Sequence, residues 1–313
     1  MNVPKFLDGT KWANAKIESL TGDASARKYF RLRRGNETAI LMDASHVRQI
    51  LPPFVQINLH LQKLGFSAPK ILARDDANGF LLLEDFGDET FSQLLENNFD
   101  AEKLFTLATD VLIALHKNLN AIPNGLRIYS PKKMLEDVEL YLDVRKSAGV
   151  DVPLADEFRE VWLELLPLAH QVPQSLLLRD YHVANLMWLP QREEIRRAGL
   201  LDFQDAYAGP VTYDLISLLE DARRDLPNGL KRKMIARYLA QFPNLNRQQF
   251  ELSWAILAAL RHTRVLAIFE KLSREGKSDY KKLHSARVER LLQDALRHPK
   301  LAALKNWFDN YAR

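Results

Sequence analysis

Leu178-Arg179-Asp180-Tyr181-His182-Val183-Ala184-Asn185, followed after a polar gap by Leu200-Leu201-Asp202-Phe203, is the stretch that decides the fold. Asp180 and Asn185 stand five positions apart, Asp202 lies a further seventeen along, and apolar, strand-like segments flank all three. A carboxylate at the end of an apolar strand, with a loop after it, points away from the core and can take a proton from a hydroxyl. Asn185 offers a neutral carbonyl oxygen and Asp202 a charged one, hard donors of the kind that suit Mg2+. A base for the attacking hydroxyl and two oxygen ligands for a metal on nucleotide phosphates are what phosphoryl transfer requires. Alone, Asp180 would pass for a loop cap, Asn185 for a turn residue and Asp202 for a strand end. Their joint spacing selects the catalytic assignment.

Outward from this island, which is strand-rich from Gln174 to Phe203, the chain is helical on both sides. Leu104, Leu107, Val111, Leu112 and Leu115 form one apolar stripe and Phe158, Val161, Trp162 and Leu165 another. Ser130-Pro131 supplies a cap and a first-turn proline for a helix carrying Met134, Leu135, Val138 and Leu142. Helix resumes at Thr212 and includes a long stretch from Phe250 to Leu272. Further upstream the pattern changes. Residues 26–33 and 37–43 read as strands about a Gly35-Asn36 turn, and residues 53–64 as a helix closed by Gly65. Residues 70–74 and 79–83 read as a hairpin, and residues 1–20, with Trp12, Ile17 and Leu20, as a short amphipathic helix. The expectation is an α+β chain with the two-lobed protein-kinase-like fold. Residues 1–85 would form a small antiparallel-sheet, nucleotide-binding lobe. Residues 86–313 would form a larger helical lobe with the catalytic loop and acceptor site.

Composition narrows the partners. The 313 residues are 47% hydrophobic and 27% charged, with 44 basic and 40 acidic side chains for a net charge of +4. That excess, mixed along the chain, is too small to argue for nucleic acid. There is no cysteine, which excludes disulfides, thiolate metal sites and thiol catalysis. The N-terminal stretch has no apolar signal core and no uninterrupted apolar run approaches about 20 residues, so neither export nor a membrane partner is expected. The expected setting is the cytoplasm.

The chain resembles the aminoglycoside phosphotransferase and choline kinase group of kinase-like enzymes. The resemblance rests on the Asp180-to-Asn185 loop, hinge-like Leu81-Leu82-Leu83-Glu84-Asp85-Phe86-Gly87, Leu201-Asp202-Phe203-Gln204-Asp205-Ala206, Gly209-Pro210 and Tyr213-Asp214-Leu215. It implies ATP and Mg2+ as cofactors, Asp180 as base, Asn185 and Asp202 as metal ligands, Glu84 and Phe86 against the nucleotide, and Asp214 as a structural buttress. Thr21-Gly22-Asp23-Ala24-Ser25-Ala26-Arg27-Lys28-Tyr29-Phe30-Arg31-Leu32, with Ala39 to Ala44, is similar to the bacterial sugar kinases of cell-wall recycling. That similarity implies an amino sugar, N-acetylmuramate or N-acetylglucosamine, phosphorylated at the anomeric hydroxyl. The sugar 1-phosphate would then pass to a uridylyltransferase.

Two departures from the general kinase pattern follow. The loop over the nucleotide has one glycine, Gly22, with Ser25 as a hydroxyl donor. Met42 stands where the phosphate-gripping lysine would, and the following helix carries no Glu to pair with it. Arg27, Lys28 and Arg31 lie close by, and Arg27 or Lys28 is expected to supply the missing charge. On the acceptor side Asp205 would meet sugar hydroxyls, and Arg261 or Arg264, in an apolar helix, would clamp a carboxylate. Helix arginines paired with local acids would read the same. Other acceptors (an aminoglycoside, a choline-like alcohol, homoserine) and a nucleotide-binding pseudokinase are the alternatives. A chain of pI about 9.1 does not favour a polycationic aminoglycoside.

Overall fold

A computed structural model of the chain describes residues 3–20, 27–147, 149 and 154–311. They fall into two compact units, Met1–Val111 with Val183–Ala206, and Leu112–His182 with Tyr207–Arg313. The hairpin after Asn185, which the sequence assigns to the second lobe, therefore packs with the first unit.

The first unit opens with α1 (Val3–Leu7) and a five-stranded antiparallel sheet in the order β1-β2-β3-β5-β4. The strands are β1 (Lys16–Leu20), β2 (Lys28–Arg34), β3 (Glu37–Asp43), β4 (Ile71–Asp75) and β5 (Phe80–Glu84). Strand alternation sends Leu32, Ala39, Leu41, Phe80 and Leu82 to one face, where Leu7 and Trp12 cover them. Met42, Leu81 and Leu83 leave by the other face and are buried too, so β5 reads as one apolar run. α2 (Leu51–Lys63) starts on Pro52-Pro53 and stops at Gly65, whose φ of +88° suits glycine. The helix expected over residues 1–20 is corrected: Lys16–Leu20 is an edge strand, with Glu18 opposite Arg31 and bonded to Arg33. Ile17 and Leu20 have helical spacing, but five residues are too few to set a period, and the free edge of β2 decides the conformation. The hairpin β7 (Leu186–Trp188)–β8 (Ala198–Leu200) completes this unit, with α3 (Phe91–Glu96) capped by a Thr90–Gln93 capping box.

The chain enters the second unit within α4 (Ala101–Lys117). α5 (Pro131–Ser147), α6 (Ala155–Ala169), α7 (Thr212–Leu219), α8 (Leu230–Ala240), α10 (Asp279–Ala295) and α11 (Ala302–Tyr311) belong to this unit with the 28-residue α9 (Arg247–Arg274). By length and composition α9 could span a bilayer, but 67% of its most apolar window is buried against the protein, which makes it a core helix. A short antiparallel pair, β6 (Gln174–Leu177) with β9 (Tyr207–Pro210), brackets the segment that carries Asp180, Asn185 and Asp202.

Candidate active site

In the first unit the β7–β8 register sets Leu186 opposite Leu200, and the Leu201 N–H donates to the Asn185 carbonyl at 3.1 Å. Asn185 and Asp202 thus sit at one end of neighbouring strands, as their spacing predicts. Asp202 takes a left-handed φ of +60°, a conformation Asp tolerates better than most residues and one that gathers at functional sites. Its carboxylate forms an ion pair with Arg27 and accepts from Gln204 Nε2 at 3.1 Å. Arg27 Nη1 in turn donates to Gln204 Oε1 at 2.7 Å. Burial alone would lower the Arg27 value, but Tyr29, Asp202 and Asp205 raise it above the ordinary guanidinium range. Asp205 itself is exposed.

The other basic candidates separate cleanly. Lys28 is exposed at the start of β2. Arg31 is buried and committed to Asp85 at 2.7 Å, Asp88 at 2.6 Å and the Gly87 carbonyl at 3.0 Å, so it pins the hinge-like segment. Met42 is fully buried. Glu84 accepts from Arg192 at 2.6 Å and from the Lys70 N–H at 3.1 Å. Phe86 lies so close to Gly199 that a Cβ there would come within 2.8 Å of its ring, which is why β8 needs glycine at that point. Gly22 and Ser25 lie outside the described residues.

In the second unit Asp180 is half-buried, between Arg179, at a φ of +70°, and Tyr181. The strained turn is held from below. Fully buried Asp214 accepts from the Leu178 and Arg179 N–H groups at 2.6 and 3.0 Å, and Ser217 Oγ donates to the Arg179 carbonyl at 3.3 Å. Burial pushes Asp214 up to about 7, against the pull of those two N–H donors. The buttress role implied for Asp214 has its geometric basis here.

The family model for the phosphotransferase enzyme family, which includes the aminoglycoside phosphotransferases, matches residues 16–250. The chain belongs to this family. It is 32% identical to the N-acetylmuramate/N-acetylglucosamine kinase of Caulobacter vibrioides over 98% of this chain and 94% of that one. It is also 32% identical to the enzyme of the same name from Pseudomonas aeruginosa, over 96% and 91%. Among solved structures it is similar to a choline kinase from Streptococcus pneumoniae, with TM-score 0.62 and 17% identity over 89% and 93% of the two chains. The GDP complex of aminoglycoside 2'-phosphotransferase-IIIa gives TM-score 0.65 and 15% identity over 94% and 96%. At such identities the structures establish the fold alone, the two-lobed kinase-like α+β fold. The phosphotransferase assignment makes the chain an enzyme.

Within this phosphotransferase, Arg261 and Arg264 part company. Arg261 is buried, with Nη2 donating to Ser217 Oγ at 3.1 Å and Nη1 to the Glu220 carbonyl at 3.5 Å. Among the described residues Arg264 has one carboxylate within ion-pair range, Asp137 at 3.7 Å. Three residues escape the sequence reading: Gln204 in the first unit, which bridges Arg27 and Asp202, and Asp137 with Lys133 in the second. Asp137 could have been found, since it lies within the Met134, Val138, Tyr141 stripe of α5, where an uncompensated acid is costly. No signal singles out Gln204 beyond its place two residues after Asp202.

The oxygen donors fit Mg2+. Asp202 and Asn185 give one carboxylate and one amide carbonyl, both partly open to solvent. Among the described residues no group of three or more His, Cys, Asp or Glu forms a closed cage. Mg2+ keeps waters and phosphate oxygens in its shell and needs only one or two protein ligands of this kind.

Proposed function

We propose that the enzyme transfers the γ-phosphoryl group of ATP to the anomeric hydroxyl of N-acetylmuramate or N-acetylglucosamine, giving the sugar 1-phosphate. The observation that carries this reading is the end-to-end likeness to relatives bearing that name, at 32% identity over 98% of the chain. Asp180 accepts the hydroxyl proton as the sugar oxygen bonds to the γ-phosphorus and the bond to the β–γ bridging oxygen breaks, with ADP leaving on that electron pair. Mg2+, held by Asn185 and Asp202, would neutralise phosphate charge. Arg27 fills the role of the lysine absent at Met42: its guanidinium exchanges Asp202 for phosphate oxygens, bidentate partners of matching geometry. Glu84 and Phe86 border the nucleotide, and Asp205 meets the sugar. The setting is the cytoplasm, within peptidoglycan recycling, and a uridylyltransferase would consume the product.

The test is ADP release with Mg-ATP and each sugar, with kanamycin and choline as further acceptors, and NMR of the product. An α- or β-1-phosphate is the expected product. Phosphate at another hydroxyl, or turnover of only the non-sugar acceptors, refutes the substrate assignment. Asp202→Ala is expected to abolish the Mg2+-dependent part of nucleotide affinity, and unchanged affinity would remove Asp202 from the metal site.

A further inference from the structure

The two candidate acceptors differ by one group: N-acetylmuramate carries a lactyl ether ending in a carboxylate, and N-acetylglucosamine does not. The second unit contains a cation cluster with capacity for such a group. Its centre is Asp137, 8% exposed, whose Oδ2 accepts from Tyr129 Oη at 2.8 Å and Arg179 Nη2 at 2.9 Å, while Oδ1 lies 3.0 Å from Lys133 Nζ. That carboxylate is saturated. Arg264, on the neighbouring turn of α9, approaches it no nearer than 3.7 Å, beyond hydrogen-bond range. Among the described residues the Arg264 guanidinium donates no hydrogen bond, although only 28% of the side chain is exposed. Arg179 Nη1, fully buried, also has no hydrogen-bond acceptor.

The charge count points the same way. Lys133, Arg179 and Arg264 bring three positive charges to Asp137 and to Glu136, which lies 3.2 Å from Lys133 and is half exposed. Arg127 adds a fourth cation 4.0 Å over the face of Tyr207, whose ring also lies 5.1 Å from Arg179. A half-buried guanidinium with its N–H donors unspent is costly in a structural role and suited to a carboxylate, which it can bind through two parallel bonds. Arg179, a member of the cluster, directly precedes Asp180, the proposed base, in the chain.

We propose that Arg264, flanked by Lys133, forms a carboxylate subsite that receives the lactyl group of N-acetylmuramate. This deepens the proposed function and rests on it. Arg261, fully engaged with Ser217 and Glu220, takes no part. The subsite is selective by chemistry: an acceptor without the carboxylate leaves the guanidinium to water.

The experiment measures kcat/KM for N-acetylmuramate, for its lactyl carboxamide and for N-acetylglucosamine, in the full chain and in Arg264→Met, Lys133→Met and the double variant. In the unaltered enzyme the acid is expected to exceed the amide by about tenfold or more, the size of one charge-assisted pair. Arg264→Met is expected to erase that preference and to lower the N-acetylmuramate to N-acetylglucosamine ratio by at least tenfold. Lys133→Met should lower it by less. Because each result is a ratio within one protein preparation, partial misfolding cancels. An acid-to-amide preference that survives in the double variant overturns the subsite while leaving the kinase reading intact. An unaltered enzyme that turns over neither sugar overturns the reading, and the subsite with it.

Discussion

Two arginine–carboxylate pairs, Arg27–Asp202 in the first unit and Arg179–Asp137 in the second, are built differently. In the first unit the Arg27 side chain is 11% exposed and that of Asp202 33%, so one edge of the carboxylate faces water. In the second, Arg179 and Asp137 are 6% and 8% exposed, and the Arg179 guanidinium lies 4.4, 5.1 and 5.5 Å from the ring centres of Tyr129, Tyr207 and Tyr213. An open pair can exchange partners at the cost of modest Coulomb energy, whereas a caged pair broken on one side strands a buried charge. Under the proposed function, Arg27–Asp202 is a switchable contact that would release Asp202 to a metal. Arg179–Asp137 is scaffold, and it fixes the residue before Asp180.

If that division is right, substitutions on the two sides should separate catalysis, stability and nucleotide binding. The largest effect belongs to the residue that the scaffold presents. Asp180→Asn is expected to lower turnover by about two to four orders of magnitude with nucleotide affinity kept within threefold, read by ADP release and calorimetry. Activity within tenfold of the unaltered enzyme would remove Asp180 as the base. Next comes the cage: Asp137→Ala leaves Arg179 buried without its acid and should cost about 3–5 kcal/mol of unfolding free energy in urea titration. A loss below about 1 kcal/mol would mean the pair is no more structural than the open one.

The same contrast explains what could be read from the sequence. The sheet lobe was legible because β2 and β3 carry their own alternation and meet at Gly35-Asn36, a local turn signal. β1 was not, because its conformation is decided by an edge nine to seventeen residues away in the chain. The spacing of Asp180, Asn185 and Asp202 is itself a signal, and the structure bears out the hairpin that joins the last two. The partner choices were hidden. Arg27, Lys28 and Arg31 share one short basic run, and Arg261 and Arg264 lie three residues apart on one helix. Which of each set is spent on the fold depends on Asp85, Asp88, Ser217 and Glu220, far off in sequence.

Arg27 gives the sharper test of the open pair. Arg27→Met should change stability by less than about 1 kcal/mol, since Asp202 can hydrate, yet weaken Mg-ATP binding by about tenfold, a loss of about 1.4 kcal/mol. Lys28→Met, at an exposed position, should weaken it by less than threefold. Equal losses from the two variants would show general electrostatics and no specific grip by Arg27.

The smallest effect is one of pH, and it lies beneath the cage. Asp214 sits at about 7 in the folded protein against an ordinary 3.8, raised by its complete burial. Between those values the native state holds a proton that the unfolded chain has released, so raising the pH favours unfolding. The stabilisation is complete below about 3.8 and is lost as pH rises through about 7, with a slope of at most about 1.4 kcal/mol per pH unit between them. From pH 6 to 7 the resulting change is about 1 kcal/mol or less. Asp214→Asn cannot titrate, so its stability should decline less steeply over that interval than the unaltered protein's, whatever its absolute value. Parallel stability–pH curves would mean that the Leu178 and Arg179 N–H groups keep Asp214 ionised, and that the turn before Asp180 is held by a charge.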